Sequence, residues 1–341
     1  MDSHEQLPRL ARKHEPPLIT ELSRLFWASA VARVAVKKEI FDILKVDSLD
    51  ARQLASRIGA DPLHTSRLLN ACVVLGLLRK KDGRYENTEI SNTWLVKGSD
   101  KYQGHLVLHA TNLWPAWERL EEALTTGNPV PHEKCTHQPD DIYWQQYMQS
   151  QHERAISVQQ DLLLQSVDLS GRKRLLDVGG GAGSYTIALC QRYPELKGVV
   201  LDQEVTLPVA RRLIESAGLS HRVSTLAADY TTDDFGSGYD VILFSGALCQ
   251  ESPGVYSTLL KKAYHSMVDG GLLIIQDLMH MDSEENDPAL VFHDLYLVLV
   301  YGHQGAVRNA DEIVHLVTGA GFSNARKIPL EGLFSIIIAE K

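Results

Sequence analysis

The sequence predicts an α/β chain: a doubly wound, largely parallel sheet in the C-terminal half, preceded by a smaller, mostly helical region. Three observations carry this. The run Leu175-Leu176-Asp177-Val178-Gly179-Gly180-Gly181-Ala182-Gly183-Ser184-Tyr185 reads as a buried strand ending near a carboxylate, a glycine turn and a helix start. From Arg172 onward, short apolar runs alternate with helical stretches. The first hundred residues instead carry helical periodicity and a helix-turn-helix pattern closed by a hairpin.

In chain order, residues 1–15 are polar and expected to be frayed or draped on a partner. Ile19 to Leu44 reads as helix, with Leu22, Phe26, Ala30 and Val34 recurring every fourth position. Asp50 to Tyr85 has winged-helix form: Ala51–Ile58 and Leu63–Leu75 as helices around Gly59-Ala60-Asp61-Pro62, then a hairpin turning at Asp82-Gly83. Leu106–Leu124 and Tyr143–Val167 read as further helices, separated by Gly127-Asn128-Pro129-Val130-Pro131 and a loop from His132 to Asp141. Trp114, Trp117, Tyr143, Trp144, Tyr147 and Met148 are concentrated here, either as core or as the wall of a flat, apolar pocket. Strands are expected at 173–178, 197–202, 223–228, 239–244 and 271–277. A final pair lies near 325–329 and 333–339, giving a seven-stranded, Rossmann-like sheet.

The glycine turn is spaced Asp-x-Gly-x-Gly-x-Gly, which is a poor match to the Gly-x-Gly-x-x-Gly dinucleotide loop. Two later strands also end on acids, Asp202 and Asp229. Asp177, Asp202 and Asp229 would therefore line the carboxyl edge of the sheet, where such sheets bind ligands, and Asp202 stands where a carboxylate takes both ribose hydroxyls.

Composition sets bounds on the rest. The 341 residues, 44% hydrophobic and 23% charged, suit a globular protein with more than one domain. A net charge of −9 argues against nucleic acid as a partner. Residues 1–100 hold 16 Lys+Arg against 13 Asp+Glu, and the second helix of the winged pattern carries Arg67 as its single Lys or Arg, so a DNA-reading face is not expected. Four cysteines (Cys72, Cys135, Cys190, Cys249) lack Cys-x-x-Cys spacing. No apolar run approaches the roughly 18 residues of a membrane span and the N-terminus lacks a signal-peptide core, which predicts a cytoplasmic protein that does not enter the membrane.

The stretch from Leu175 to Asp202, with Ala228-Asp229-Tyr230 and Asp240 to Ser245, resembles class I S-adenosylmethionine (SAM) methyltransferases. More narrowly, it is similar to the small-molecule O-methyltransferase family of the caffeic acid and hydroxyindole enzymes and bacterial tailoring enzymes, over nearly the whole chain. The resemblance implies SAM as cofactor, with Gly179, Gly181 and Gly183 at its methionine part, Asp202 at the ribose, Asp229 and Tyr230 at the adenine, and Asp177 and Ser245 among the SAM-binding residues. It also implies a homodimer built through a winged-helix dimerisation domain (1–105), a helical linker contributing to the acceptor pocket (106–167) and a SAM-binding catalytic domain (168–341). The acceptor would be a small, planar or conjugated metabolite, with Trp114, Tyr147, Met148 and His303 among the pocket residues.

The chain departs from that family at the expected base. O-methylating relatives carry a His in Leu-His-Asp-Trp after the fourth strand; here the segment is Leu248-Cys249-Gln250-Glu251. The Glu that braces this His in the plant enzymes falls at Val307. Base and brace are missing together. Three readings follow: His293, in Val291-Phe292-His293-Asp294-Leu295-Tyr296, takes the proton from a carbon or an acidic enol; the Cys249 thiol acts; or SAM is bound for non-methylating chemistry such as cyclisation, hydroxylation or decarboxylation. A SAM-sensing winged-helix regulator is the alternative of another class. No metal site is expected, since the spacing of His293, His303 and Cys249 does not demand one.

Overall fold

The computed structural model describes residues 17–131, 140–281, 287–332 and 334–341. The expectations for residues 1–15, for Cys135 and for nearly all of the His132–Asp141 loop lie outside the described residues. The chain divides into two compact units, Met1–Thr111 and Asn112–Lys341.

In the first unit, α1 (Pro17–Lys37) and α2 (Ile40–Val46) replace the single helix expected to Leu44, because Glu39 adopts φ 55° and breaks the run. α3 (Ala51–Ile58) begins at Asp50, whose carboxylate accepts from the Arg52 and Gln53 N–H groups in a capping box. α4 (Pro62–Val74) is capped by Asp61 and buries Leu69 and Cys72. β1 (Leu78–Lys81) and β2 (Arg84–Asn87) form the wing, turning at Asp82 and Gly83 with both φ angles positive, as a two-residue hairpin requires. Two short helices follow, α5 (Glu89–Trp94) and α6 (Gly104–Asn112). Leu18, Ile19, Leu22, Phe26 and Trp27 of α1 are exposed.

The second unit opens with α7 (Trp114–Trp117) and α8 (Leu120–Thr126), so the expected Leu106–Leu124 helix is three pieces. Pro115 cannot continue a preceding helix and starts a new one. α9 (Asp140–Arg154) passes through a π-helical turn, Ala155–Gln159, into α10 (Gln160–Ser166). Then come β3 (Arg174–Val178), α11 (Ser184–Arg192), β4 (Lys197–Asp202), α12 (Leu207–Ser216), β5 (Val223–Ala227), β6 (Tyr239–Ser245), α13 (Pro253–Ser266) and β7 (Met267–Asp277). The two-residue strands β8 (Met279–His280) and β9 (Arg308–Asn309) flank α14 (Pro288–Tyr301). The chain closes with α15 (Ala310–Gly319), β10 (Ser323–Ile328) and β11 (Ser335–Glu340).

The seven strands run in the order β10-β11-β7-β6-β3-β4-β5, parallel from β7 to β5 and antiparallel at β10 and β11. Successive residues bury into opposite faces. Leu176, Val178, Ile242 and Phe244 pack with Leu259, Ile313 and Val317 on one side, while Leu175, Val200, Val241 and Leu243 pack with Leu163, Leu189 and Ile214 on the other. The chain leaves β3 in one direction through β4 and β5 and later in the other through β6 and β7. The carboxyl ends of β3 and β6 therefore frame the crevice where doubly wound sheets take ligands.

Candidate active site

The glycine turn sits at that switch point. Gly179, Gly181 and Gly183 all have positive φ (67°, 53° and 71°). At Gly181 a side chain would also lack room, since its Cβ would lie 3.1 Å from the Met148 sulfur. The Gly181 N–H donates to Asp202 Oδ2 at 2.8 Å, and the Gln203 N–H donates to Oδ1 at 2.7 Å. Burial raises the Asp202 pKa and these hydrogen bonds oppose the rise. A carboxylate accepts about four hydrogen bonds, so Asp202 fixes the loop and keeps acceptor capacity for a diol.

Asp177, expected at the ligand, lies beneath the loop. It is fully buried, Thr186 Oγ1 donates to its Oδ2 at 2.7 Å, and a Cβ on Gly180 would fall 2.7 Å from its Cγ. Its Oδ1 has no hydrogen-bond partner among the described residues, and desolvation pushes the pKa up to about 7. Asp229 is exposed and spends Oδ1 on its own turn, accepting from the Thr231 N–H and hydroxyl; those bonds lower its pKa. Tyr230 stands beside the glycine turn, its ring 3.5 Å from a Cβ built on Gly179, and donates its hydroxyl to Glu251 Oε1 at 2.7 Å. Ser245 Oγ donates to Gln276 at 3.2 Å and meets the Tyr185 hydroxyl.

Two faces of α9 serve different ends of the site. Met148, expected in the acceptor pocket, packs with Ala182 and Val209 over the glycine loop. His152 Nδ1 hydrogen-bonds Ser184 Oγ at 2.9 Å, and burial lowers its pKa. On the neighbouring face Tyr147 stacks on Tyr143, with centroids 6.2 Å apart, and Trp144 meets both edge-on. Burial raises the Tyr147 pKa, and its hydroxyl reaches Tyr301 and feels the charges of Arg154 and Asp202. Trp114 is 38% exposed at the start of α7. His303 does not join the tyrosines. It is exposed after α14, with Nε2 2.8 Å from the Cβ position of Gly127, because Gly302 ends the helix and turns the chain outward. Among the described residues no three His, Cys, Asp or Glu side chains group as a metal site.

The segment carrying Cys249 is a short 3-10 turn, Leu248–Gln250, held from below. Buried Asp277, the last residue of β7, accepts from the Leu248 and Cys249 N–H groups through Oδ2 (3.1 and 3.0 Å) and from the Leu278 N–H through Oδ1 (2.8 Å). Burial raises its pKa against those bonds. Cys249 packs in one apolar cluster with Val307, Leu278, Leu290, Leu297 and Phe334. The two positions where the resemblance places base and brace lie in one apolar cluster. Burial first, and Asp277 second, pushes the thiol well above its ordinary range, so Cys249 stays protonated at neutral pH. Arg308, buried beneath the segment, donates to the Glu251 carbonyl at 2.6 Å and lies 5.3 Å from the Tyr256 ring centroid.

His293 is half-buried on α14. Its Nδ1–H donates to the Ala289 carbonyl at 2.8 Å, which leaves Nε2 unprotonated in the neutral ring. Burial lowers its pKa, the Ala289 bond opposes this, and the Arg154 charge lowers it further. Asp294 does not orient His293; it accepts from the Val307 N–H at 2.7 Å and ties down the strand that carries Arg308. Asp277, Glu251 and Arg154 were not singled out from the sequence. Asp277 alone left a signal, as another acid closing an apolar strand.

A parallel sheet with a glycine turn at its switch point, and an acid closing the next strand onto that turn, is a doubly wound fold of the kind that takes nucleotide ligands at this crevice. The comparisons carry this to a family. An O-methyltransferase domain profile matches residues 124–323, and an O-methyltransferase dimerisation domain profile matches residues 20–97. The chain is 31% identical over 326 residues to 3-hydroxy-5-methyl-1-naphthoate 3-O-methyltransferase of Streptomyces sahachiroi, covering 92% of this chain and 91% of the relative. It is 26% identical over 312 residues to L-tyrosine C(3)-methyltransferase of Streptomyces lavendulae, covering 88% and 85%. The structure of human N-acetylserotonin methyltransferase in complex with SAM shares the fold, with TM-score 0.87 at 24% identity over 97% of this chain and 99% of that one.

The chain belongs to the O-methyltransferase family and is a SAM-dependent methyltransferase of small molecules. Non-methylating chemistry and the regulator reading are not favoured. No helix among the described residues is long and apolar enough to cross a membrane.

Proposed function

We propose that this enzyme methylates a planar aromatic acceptor at oxygen or carbon, with His293 rather than a residue of the 248–251 segment taking the acceptor's proton. Relatives that act on a hydroxynaphthoate and on tyrosine support an aromatic acceptor, as do the stacked Tyr143 and Tyr147. One observation carries the base assignment. Cys249 and Val307 share an apolar cluster, whereas His293 presents a neutral imidazole whose Nε2 has no hydrogen-bond partner among the described residues.

Bound at the glycine loop, SAM supplies an electrophilic methyl group. Gly179, Gly181 and Gly183 would offer bare backbone to its methionine end, Asp202 would take the ribose diol, Tyr230 and Asp229 would border the adenine, and Ser245 would lie on the side toward β7. Tyr147, with Tyr301, orients the acceptor; Trp114 borders it. His293 Nε2 removes the proton from a phenolic oxygen or an activated ring carbon, and the ring becomes imidazolium. Alignment of nucleophile and methyl is worth roughly 7–11 kcal/mol in such displacements, and a base adds about 10²–10⁴-fold.

Residues 1–105 form the dimerisation domain, 106–167 the linker and 168–341 the catalytic domain; a second copy covers the exposed apolar face of α1. The free thiols Cys72, Cys190 and Cys249 suit a reducing cytoplasm. The test is methyl transfer from labelled SAM to a panel of naphthols, hydroxynaphthoic acids and phenols, comparing wild type with His293→Ala. Turnover that survives in His293→Ala would return the base to another residue.

A further inference from the structure

The face of α9 that carries Tyr143 and Tyr147 also carries a cation, Arg154, with no ion partner among the described residues. At roughly 100° per residue, Tyr143, Tyr147 and Arg154 fall within about 40° of one another around the helix, while Met148 and His152 point about 100° or more away from Tyr147 and Arg154. Arg154 is half-buried and has no ion pair or side-chain hydrogen bond among the described residues. Its charge acts on Tyr147, on Tyr185 of α11, and on His293 and Tyr296 of α14. It therefore lies among the groups that frame the reaction.

Among the described residues no acid of this region is an ion partner of Arg154. Asp202 accepts from Gly181 and Gln203, Asp277 from three backbone N–H groups, and Asp177 from Thr186. A partly buried guanidinium without an ion partner can take a ligand's charge, and its planar fork matches a carboxylate with two parallel hydrogen bonds. The backbone after Arg154 is also anchored. Gln159, the last residue of the π-helical turn, accepts from the Tyr185 hydroxyl at 3.1 Å, and its carbonyl accepts from Gln276 at 3.4 Å. π-helical turns of this kind recur at functional sites.

We propose that Arg154 anchors a carboxylate-binding subsite within the methyl-transfer site. This rests on the reading under "Proposed function". The carboxylate is either the amino-acid terminus of the cofactor or an acid group on the acceptor, and one set of titrations separates the two. Wild type, Arg154→Met and Arg154→Lys are titrated calorimetrically with S-adenosylhomocysteine and its decarboxylated analogue, then, saturated with S-adenosylhomocysteine, with hydroxynaphthoic acids and their carboxamides.

If the carboxylate is the cofactor's, wild type prefers S-adenosylhomocysteine to the decarboxylated form by about ten- to a hundredfold, the scale of charge-assisted hydrogen bonds, and Arg154→Met erases the preference. If it is the acceptor's, that cofactor preference is unchanged in Arg154→Met and a wild-type preference for acid over amide is lost instead. Arg154→Lys, which keeps the charge without the fork, retains part of the preference and guards against misfolding of the Met variant. Both preferences intact in Arg154→Met, or neither present in wild type, overturns the subsite. Failure of S-adenosylhomocysteine to bind wild type at all would overturn the methyl-transfer site itself, and the subsite with it.

Discussion

Asp202 and Asp277 close parallel strands of the same sheet, and the contrast between them divides the site. Asp202 accepts two backbone N–H groups, fixes the glycine loop and keeps acceptor capacity. Asp277 accepts three, is fully enclosed, and spends itself holding the turn that carries Cys249. One half of the site is backbone geometry tuned for a ligand. The other half is scaffold in which Cys249 and Val307, the positions where the resemblance places base and brace, share an apolar cluster. A cofactor site built from backbone cannot change much without losing the loop, whereas an acceptor site built from side chains can be rewritten one pair at a time.

The sharpest break in this comparison is His293→Ala. Removing the base is expected to lower kcat by about 10²–10⁴-fold while leaving S-adenosylhomocysteine affinity unchanged by calorimetry. Its pH profile carries a sign. Burial and Arg154 depress the His293 pKa, so wild-type turnover should be flat from neutral pH down past the ordinary histidine range and fall only at lower pH, as the ring protonates. Next in size, Asp202→Ala should weaken S-adenosylhomocysteine binding by about tenfold or more, the scale of lost hydrogen bonds to a charged group. An unchanged isotherm would put the nucleoside elsewhere.

Cys249→Ala addresses the scaffold half. Turnover should stay within about threefold of wild type across pH, since a protonated buried thiol does no proton transfer. The melting temperature should drop by a few degrees, roughly what 1 kcal/mol of lost packing produces in a domain of this size. The smallest effect concerns Asp177, whose folded-state pKa is raised to about 7. A carboxyl raised in this way is tolerated when protonated and destabilises once ionised, so its contribution to stability declines as pH rises from about 4 toward about 7. Asp177→Asn should flatten that decline in thermal melts between pH 4 and about 8.

The same division marks what could be read from the sequence. Gly179 to Gly183, Asp202 and the strand runs lie close together in the chain and follow local rules of periodicity and turn chemistry, so the sheet and cofactor loop were legible. Helix breaks were less so: Glu39 carries no signal for its positive φ, and the π-helical turn at Ala155 has no glycine or proline to mark it. The proposed acceptor half draws on residues far apart in sequence, among them Tyr147, Arg154, Cys249, Asp277, His293 and Val307. The departure from the resembled family at Cys249 and Val307 was visible in the sequence, yet their place in one apolar cluster was not. Met148 and His303 were expected in the acceptor pocket, Met148 from an aromatic-rich helix and His303 from the resemblance; helix phase sends Met148 to the glycine loop, and Gly302 sends His303 outward.

The most direct test of the central claim is the pH–rate profile of methyl transfer, measured side by side for wild type, His293→Ala and Cys249→Ala with an acceptor that wild type turns over. The account predicts that His293→Ala loses nearly all activity together with the acid limb of the profile, while Cys249→Ala follows wild type. A profile unchanged in His293→Ala and abolished in Cys249→Ala would contradict it and return the chemistry to the segment after β6.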